Sequence, residues 1–241
     1  MKKALLTAVV LGAALAARAE DGAAREFPAQ GVKTIRVQTE SGNIEVHAGA
    51  KLAVEVVDNK KPELCLLTLE VQGDSLVLKA ESARRYFVPG PGCGAGFRVT
   101  APAALSLEAK TGSGNVALDG MSGAAALAAG SGHIAGILAG SLIAKSGSGG
   151  LNLKGLTGGA DVKSGSGGVT LVWAKAPAGS VAVKSGSGDV VLAFPAGTKL
   201  QSRQVAGSGS AVNTLGEVPD APLKVSVITG SGDSTIEAAK K

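Results

Sequence analysis

Apolar and polar residues alternate along most of the chain, in short runs that stop at a glycine-rich turn and resume after it. Before the turn at Gly186 the apolar positions are Val181 and Val183, and after it they are Val190 and Leu192. The matching positions around Gly165 and Gly147 are also apolar: Ala160, Val162, Val169 and Leu171, and Leu142, Ala144, Leu151 and Leu153. A period of two on both sides of such a turn predicts a strand, a tight corner and a second strand.

The Gly-Ser-Gly turn is a repeat. It starts at Gly112, Gly130, Gly147, Gly165, Gly186, Gly207 and Gly230, and successive starts are 17 to 23 residues apart. A repeat of this length is typical of one coil of a solenoid, whose coils bury a core only when several of them stack. Glycine is expected at the corners because it allows positive φ angles and a close approach of two backbones.

Stacked coils place their strands in parallel, and crossovers between parallel strands are right-handed in about 98% of cases. The predicted fold class is therefore all-β: a right-handed parallel β-helix-like solenoid of short Gly-Ser-Gly-cornered coils with a less regular N-terminal β cap. Residues 108–241 are expected to form the coils, and residues 33–107 an N-terminal β-rich part of the same continuous domain over 33–241. Residues 20–32 are expected to be a flexible lead-in.

The first nineteen residues have the pattern of a secretory signal peptide. Lys2 and Lys3 precede an apolar run over residues 4–17, and Ala17-Arg18-Ala19 fits a small-residue cleavage site. Such a run is too short for a transmembrane helix. The sequence therefore predicts an exported protein of the periplasm, cell surface or medium that starts at Glu20 and does not span the membrane after cleavage.

Charge and composition narrow the functional classes. The net charge of +5 falls to +2 without residues 1–19, because that segment contains three of the basic residues and none of the acidic ones. A charge of this size does not indicate a nucleic-acid partner. The 36 glycines and six aromatic residues predict a slender core of small and aliphatic side chains.

Cys65 and Cys93 are the only cysteines. In an oxidising compartment an isolated pair usually forms a disulfide, which the sequence therefore predicts. A redox or metal-binding pair is the alternative, but it lacks both the Cys-x-x-Cys spacing and nearby histidines.

The segment Phe97-Arg98-Val99-Thr100-Ala101-Pro102, followed by residues 105–118 with Thr111-Gly112-Ser113-Gly114-Asn115-Val116, resembles the DUF4097 family. These are exported bacterial β-repeat proteins often described as adhesins. The resemblance covers roughly residues 30–238. It implies a right-handed β-helix-like fold and an envelope or surface location, and it supplies no catalytic residues.

The residue after each Gly-Ser-Gly turn is a candidate ligand position, and it reads Asn115, His133, Gly150, Gly168, Asp189, Ser210 and Asp233. One acid per coil at most cannot build an oxygen cage for calcium, so these side chains are expected to stabilise turns. The glycines are not followed by the helix that dinucleotide binding requires. No metal and no cofactor is therefore predicted.

Candidate catalytic residues are scattered. The two histidines, His47 and His133, lie in different parts of the chain, and the nearest pair of carboxylates, Asp161 and Asp189, lies in different columns. Neither arrangement matches the paired groups of a hydrolase or a glycosidase. The sequence therefore predicts a protein that is not an enzyme.

One inward column contains the largest side chains. Eight residues after the first glycine of each turn it reads Leu138, Gly155, Trp173, Phe194 and Leu215. Because parity places this column inside, Trp173 over Phe194 is expected to be a core stack rather than a platform for a sugar.

One outward column is basic. Two residues before the first glycine, Lys145, Lys163 and Lys184 occupy three consecutive coils, and Lys110 lies in the same column two coils earlier. The column has two interpretations. It is either a solvated face that discourages aggregation, or a stripe that binds a polyanion such as an envelope glycan or a phosphate-bearing polymer.

These patterns favour a non-catalytic exported β-solenoid that serves as an adhesin-like or structural module of the cell envelope. The alternative is a ligand- or partner-sensing component of an envelope-stress system, which would bind a membrane-protein partner. A polysaccharide-active enzyme is the least favoured interpretation.

Overall fold

The computed structural model describes residues 22–83 and 92–240. The N-terminal part contains β1 (Ala24–Phe27), β2 (Thr34–Thr39), β3 (Ile44–Ala48), β4 (Leu52–Val57), a short 3₁₀ turn (Pro62–Leu64), β5 (Cys65–Gln72), β6 (Ser75–Ser82) and β7 (Gly96–Ala101). The predicted signal peptide, residues 1–19, lies outside the described residues. Among the described residues, no helix is long and apolar enough to cross a membrane.

The repeats form strands on both sides of each Gly-Ser-Gly corner. They are β8 (Ser106–Thr111), β9 (Val116–Met121), β10 (Ala125–Ala129), β11 (Ile134–Leu138), β12 (Leu142–Ser146), β13 (Leu151–Leu156), β14 (Ala160–Ser164), β15 (Val169–Trp173), β16 (Ser180–Ser185), β17 (Val190–Phe194), β18 (Leu200–Ser208), β19 (Ala211–Asn213), β20 (Leu223–Ser231) and β21 (Ser234–Ala238).

The strands form two sheets, and each coil contributes one strand to each. The ten-stranded sheet has the order β5-β6-β2-β8-β10-β12-β14-β16-β20-β18, and the eleven-stranded sheet has the order β1-β4-β7-β3-β9-β11-β13-β15-β17-β21-β19. Pairing between neighbouring coils is parallel, for example between β12 and β14 and between β13 and β15. The prediction of an all-β solenoid of parallel coils is confirmed.

The inward columns predicted from the alternation form the core between the two sheets. Val181, Val183, Val190 and Leu192 are at most 1% exposed. Val183 pairs in register with one valine on each neighbouring strand, so that similar side chains stack along the axis. The small side chains of this core follow from the thin space between two sheets joined by tight corners.

The corner glycines are needed for close approach and not for their φ angles. A Cβ on Gly167 would lie 2.0 Å from the carbonyl oxygen of Gly149, and a Cβ on Gly188 would lie 2.3 Å from that of Gly167. Among the glycines of the seven Gly-Ser-Gly turns, only Gly209 has a positive φ. The expectation of positive φ at these corners is wrong, and that of close backbone approach is confirmed.

A buried hydroxyl closes several corners. The serine before the first glycine points inward, and its Oγ donates a hydrogen bond to the carbonyl oxygen of the second glycine. The distance is 2.6 Å for Ser164 to Gly167 and 3.0 Å for Ser185 to Gly188. This bond spans the turn and satisfies a polar group that would otherwise be buried without a partner.

The spatial order of the coils departs from the order along the chain at both ends. The β6–β7 coil lies beyond the β2–β3 coil, and the last coil, β20–β21, lies between β16–β17 and β18–β19. A Cβ on Gly230 would accordingly lie 2.5 Å from the carbonyl oxygen of Gly186, two turns earlier in the chain. Because the repeats are alike, the sequence pattern predicts only sequential stacking, which is wrong here.

The N-terminal end is capped by antiparallel strands. Strand β5 pairs with β6, β4 pairs with β7, and β1 pairs with β4. Residues 24–27 therefore belong to the sheet, in contrast to the flexible lead-in expected over 20–32. Phe27 of β1 packs against the core, and the guanidinium of Arg25 lies 4.9 Å from the centre of its ring, which explains why this strand is held.

The disulfide expected from the sequence is present in this cap. Cys65 at the start of β5 is bonded to Cys93, and their Cα atoms are 4.9 Å apart. Cys93 is fully buried. The bond ties the edge strand of the ten-stranded sheet to the segment that enters β7.

The C-terminal end is closed by polar side chains. Where earlier coils place apolar residues inward, β18 and β19 place Ser202, Gln204 and Asn213. Ser202 and Asn213 both donate hydrogen bonds to the carboxylate of Glu217. The bond from the Ser202 hydroxyl is the main reason why the pKa of Glu217 lies below its usual value. A polar last coil is a common way to end a solenoid in solution.

Candidate functional site

The lysines of the predicted basic column lie side by side on the outer face of the ten-stranded sheet. In the strand register, Lys145 is opposite Lys163, and Lys163 is opposite Lys184. Lys110 lies in the same column on β8, separated from Lys145 by Ala128 of β10. All four lysines are exposed. The structure therefore brings the four residues into one line, as the spacing predicts.

A fifth lysine, which sequence reasoning missed, extends this line. Lys79 of β6 is opposite Gln38 of β2, and Gln38 is opposite Lys110. We call Lys79, Lys110, Lys145, Lys163 and Lys184 the lysine row. The alternation of Leu76 and Leu78 shows that Lys79 points outward. Its place in the row depends on β6 lying beyond β2, which no repeat signals.

The lysine row concentrates positive charge on one face of the sheet. Within residues 22–83 and 92–240, none of its ammonium groups lies within 4.0 Å of a carboxylate oxygen. The neighbouring Glu108 is paired with Arg36 instead, at 3.3 Å. Strands in a sheet are about 4.8 Å apart. Two ammonium groups at such a distance in water repel each other by about 1 kcal/mol or less. The fold can therefore tolerate this repulsion, and the row presents several positive charges to which an anion can bind.

A shallow groove of about 460 Å³ crosses the N-terminal half of the row. Four cationic side chains line it: Lys79, Lys110 and Lys145 of the row, with Gln38 and Ala128 between them, and Arg36. Because Ala126 and Ala128 have short side chains, the sheet surface is depressed between the longer lysines. The other end of the row borders Ile228 of β20, which is 39% exposed.

The residues after the turns form a second ladder, which is structural. At five contacts between coils, a backbone N–H donates to the side chain at the same position of the neighbouring coil: Asn115 to Asn43 (2.9 Å), His133 to Asn115 (2.9 Å), Gly150 to His133 (3.0 Å), Asp233 to Asp189 (2.9 Å) and Ser210 to Asp233 (2.8 Å). These bonds join successive coils and agree with the turn-stabilising interpretation. They also follow the altered coil order at the C-terminal end.

We predict that this ladder stabilises the fold through the acceptor atom of each side chain. His133→Ala removes the Nδ1 acceptor of the Gly150 N–H and is expected to lower the free energy of unfolding by about 0.5–1.5 kcal/mol. His133→Asn keeps an acceptor of the type used by Asn115, and should lie within about 0.5 kcal/mol of the parent. Urea unfolding measures both. Equal losses in the two variants would contradict an acceptor role.

The model of the Toastrack DUF4097 family matches residues 26–237. The chain belongs to the Toastrack family. This confirms the resemblance recognised in the sequence, and the match includes all five positions of the lysine row and both cysteines.

Two solved structures are similar to this Toastrack chain. One is a putative adhesin from Bacteroides fragilis, with 18% sequence identity, coverage of 90% of this chain and 96% of that chain, and a TM-score of 0.49. The other is a putative cell adhesion protein from Clostridium sporogenes, with 12% identity, coverage of 91% and 99%, and a TM-score of 0.40. A comparison with curated proteins found no match.

The candidate catalytic residues of the Toastrack chain do not come together. His47 lies 3.5 Å from Asp119 on the outer face of the eleven-stranded sheet, whereas His133 belongs to the turn ladder. Asp161 lies on the ten-stranded sheet and Asp189 at a corner. Among the described residues, no group of three or more His, Cys, Asp or Glu is placed to hold a metal ion.

The aromatic pair of the Toastrack chain is part of the core. The rings of Trp173 and Phe194 stack with centroids 4.4 Å apart, both side chains are buried, and Trp173 Nε1 donates to the carbonyl oxygen of Gly158 at 2.9 Å. The core interpretation is confirmed. The predicted column is wrong at Gly155, since a register shift there places Leu156 opposite Trp173.

Proposed function

We propose that this Toastrack protein is an exported, non-catalytic, adhesin-like or structural module of the cell envelope that binds an anionic polymer along the lysine row. The observation that carries the proposal is the row itself: five lysines in one register column, without an ion-pair partner among the described residues. An extended polymer and an extended row can contact each other at many points.

The solenoid suits this role because it fixes the origin of each cationic side chain. Every lysine in the row lies on a strand that has a hydrogen-bonded neighbouring strand on each side. A single exposed ion pair contributes about 0.2–1 kcal/mol. Several such pairs on one ligand act together, since each contact after the first forms at a high effective concentration.

The location in the proposal is supported by two features. The signal-peptide pattern of residues 1–19 is typical of export. The disulfide between Cys65 and Cys93 is typical of proteins from oxidising compartments. A periplasmic, surface-bound or secreted protein would meet the anionic polymers of the envelope directly.

The test replaces the three adjacent lysines together. Lys145→Gln, Lys163→Gln and Lys184→Gln in one variant should weaken binding to linear polyphosphate and to polygalacturonate about tenfold to a hundredfold, because up to three ion pairs are lost. The plot of log affinity against log salt has a negative slope, and the magnitude of this slope should decrease by up to about three. Isothermal titration over a salt series measures both quantities.

A matched variant controls for net charge. Lys154, Lys175 and Lys199 are exposed lysines outside the row and without ion pairs among the described residues. Replacing these three with glutamine removes the same charge and should leave affinity within about twofold. Equal affinity and salt slope for the row variant and the parent would refute the proposal and leave the row as a solvated face.

A further inference from the structure

The lysine row has two halves with different spacing. From Lys145 to Lys184 a lysine stands on every strand, whereas from Lys79 to Lys145 a lysine stands on every second strand. The gaps in this second half are filled by Gln38 and Ala128. At about 4.8 Å per strand, cations in the second half are about 10 Å apart. This spacing is comparable to the length of two linked sugar rings.

The groove lies on this widely spaced half, and its floor is aliphatic. Ala126, Ala128 and Ile143 line it, and Ile143 is 57% exposed. The C–H face of a pyranose ring can pack against such a floor, while a phosphate chain has no apolar surface to place there. Among residues 22–83 and 92–240, no aromatic side chain lines the groove.

The groove also contains hydrogen-bond acceptors. Glu108 holds Arg36 through Oε2, and among the described residues its Oε1 has no hydrogen bond. Gln38 lies between two lysines of the row and contributes an amide oxygen. Carboxylate and amide oxygens accept bonds from hydroxyl groups. A sugar has hydroxyl donors for these oxygens, whereas a phosphate chain at neutral pH has almost none.

We propose that the groove binds an acidic polysaccharide that has its carboxylates on alternate sugars. The uncharged sugar would occupy the floor at Ala128, and the flanking carboxylates would pair with Lys110 and Lys145. This inference rests on the proposed polyanion-binding function and specifies its ligand class. Linear polyphosphate, which could use the closely spaced half of the row alone, is the competing ligand that the test separates.

The test fills the groove without changing its charge. Ala128 is half-buried on the outer face, so that Ala128→Leu should fold and can be checked by thermal unfolding. The probes are hyaluronan, in which glucuronate alternates with an uncharged sugar, and linear polyphosphate. Ala128→Leu should weaken hyaluronan binding about tenfold, through lost packing and hydrogen bonds, and leave polyphosphate binding within about twofold.

Two further variants complete the design. Ala182→Leu makes the same change on the same sheet face outside the groove and should leave both affinities unchanged. Ala128→Lys also fills the groove, and should weaken hyaluronan binding while strengthening polyphosphate binding. It serves in place of Ala128→Leu if that variant is unfolded.

The outcomes separate this inference from the function on which it rests. The inference is overturned if the parent protein binds polyphosphate but not hyaluronan, or if Ala128→Leu affects both probes equally or neither. The proposed function fails instead if the triple lysine variant binds every probe as tightly as the parent. Selective loss of hyaluronan binding in Ala128→Leu, with loss of both probes in the lysine variant, supports both.

Discussion

Gly167→Ala is expected to lower the free energy of unfolding by about 3 kcal/mol or more, since overpacking against rigid neighbours is costly. The added Cβ would lie 2.0 Å from the carbonyl oxygen of Gly149 and 2.8 Å from the backbone nitrogen of Gly150. These are backbone atoms of the neighbouring coil, held by the sheet hydrogen bonds on both sides of the corner. The coils would have to separate at this point, which would weaken the core beneath it.

The adjacent residue provides the control. Gly168 has no backbone or side-chain atom closer than 3.6 Å to the position of an added Cβ, and neither glycine has a positive φ. Gly168→Ala should therefore be neutral or stabilise by up to about 1 kcal/mol through the unfolded state. Chemical unfolding followed by circular dichroism compares the two variants. Similar stabilities would show that the coils are not in close contact at this corner.

Val183→Asp is the other substitution for which we expect a large effect. It should lower the free energy of unfolding by about 3 kcal/mol or more, because it buries an unpaired carboxylate. Val183 is 1% exposed, and its register partners are Val162 and Val227. The new carboxylate would have valine side chains as its neighbours on both strands. We expect the variant either to be unfolded at room temperature or to bind a proton in the folded state, so that acid should partly restore its stability.

Lys184→Asp is the matched change one residue later. Its side chain points outward and is exposed, so the expected change in stability is no more than about 0.5 kcal/mol. Thermal unfolding of the two variants side by side tests the assignment of inward and outward positions. If both were harmless, or if Lys184→Asp were the more damaging, the assignment would be wrong.

Much of the fold could be predicted from residues close together in the chain, because each repeat specifies its own two strands and the turn between them. The alternation around Gly147, Gly165 and Gly186 defines two strands and their inward faces without reference to any other coil. The same parity placed Trp173 and Phe194 inside and the lysines outside, and both placements agree with the structure. The disulfide could also be predicted from the sequence, since two cysteines allow only one intramolecular bond.

Local rules failed where the outcome depends on which coil is the neighbour. The last coil, β20–β21, inserts between two earlier coils, and β6 lies beyond β2. Consequently the sequence predicted Lys110 and its three partners but missed Lys79. The sequence also failed to predict the register shift at Gly155. A bulge adds one residue to a strand relative to its partner strand, so it is visible only when the two strands are paired.

The sequence by itself determined the period, the corners, the faces of the strands and the family, since these depend on residues close together in the chain. Only the tertiary structure decided the order of the coils and, through it, the composition of the lysine row and the groove at Ala128. The physical reason is that a solenoid is held by contacts between neighbouring coils, and repeats that look alike can accept one another as neighbours.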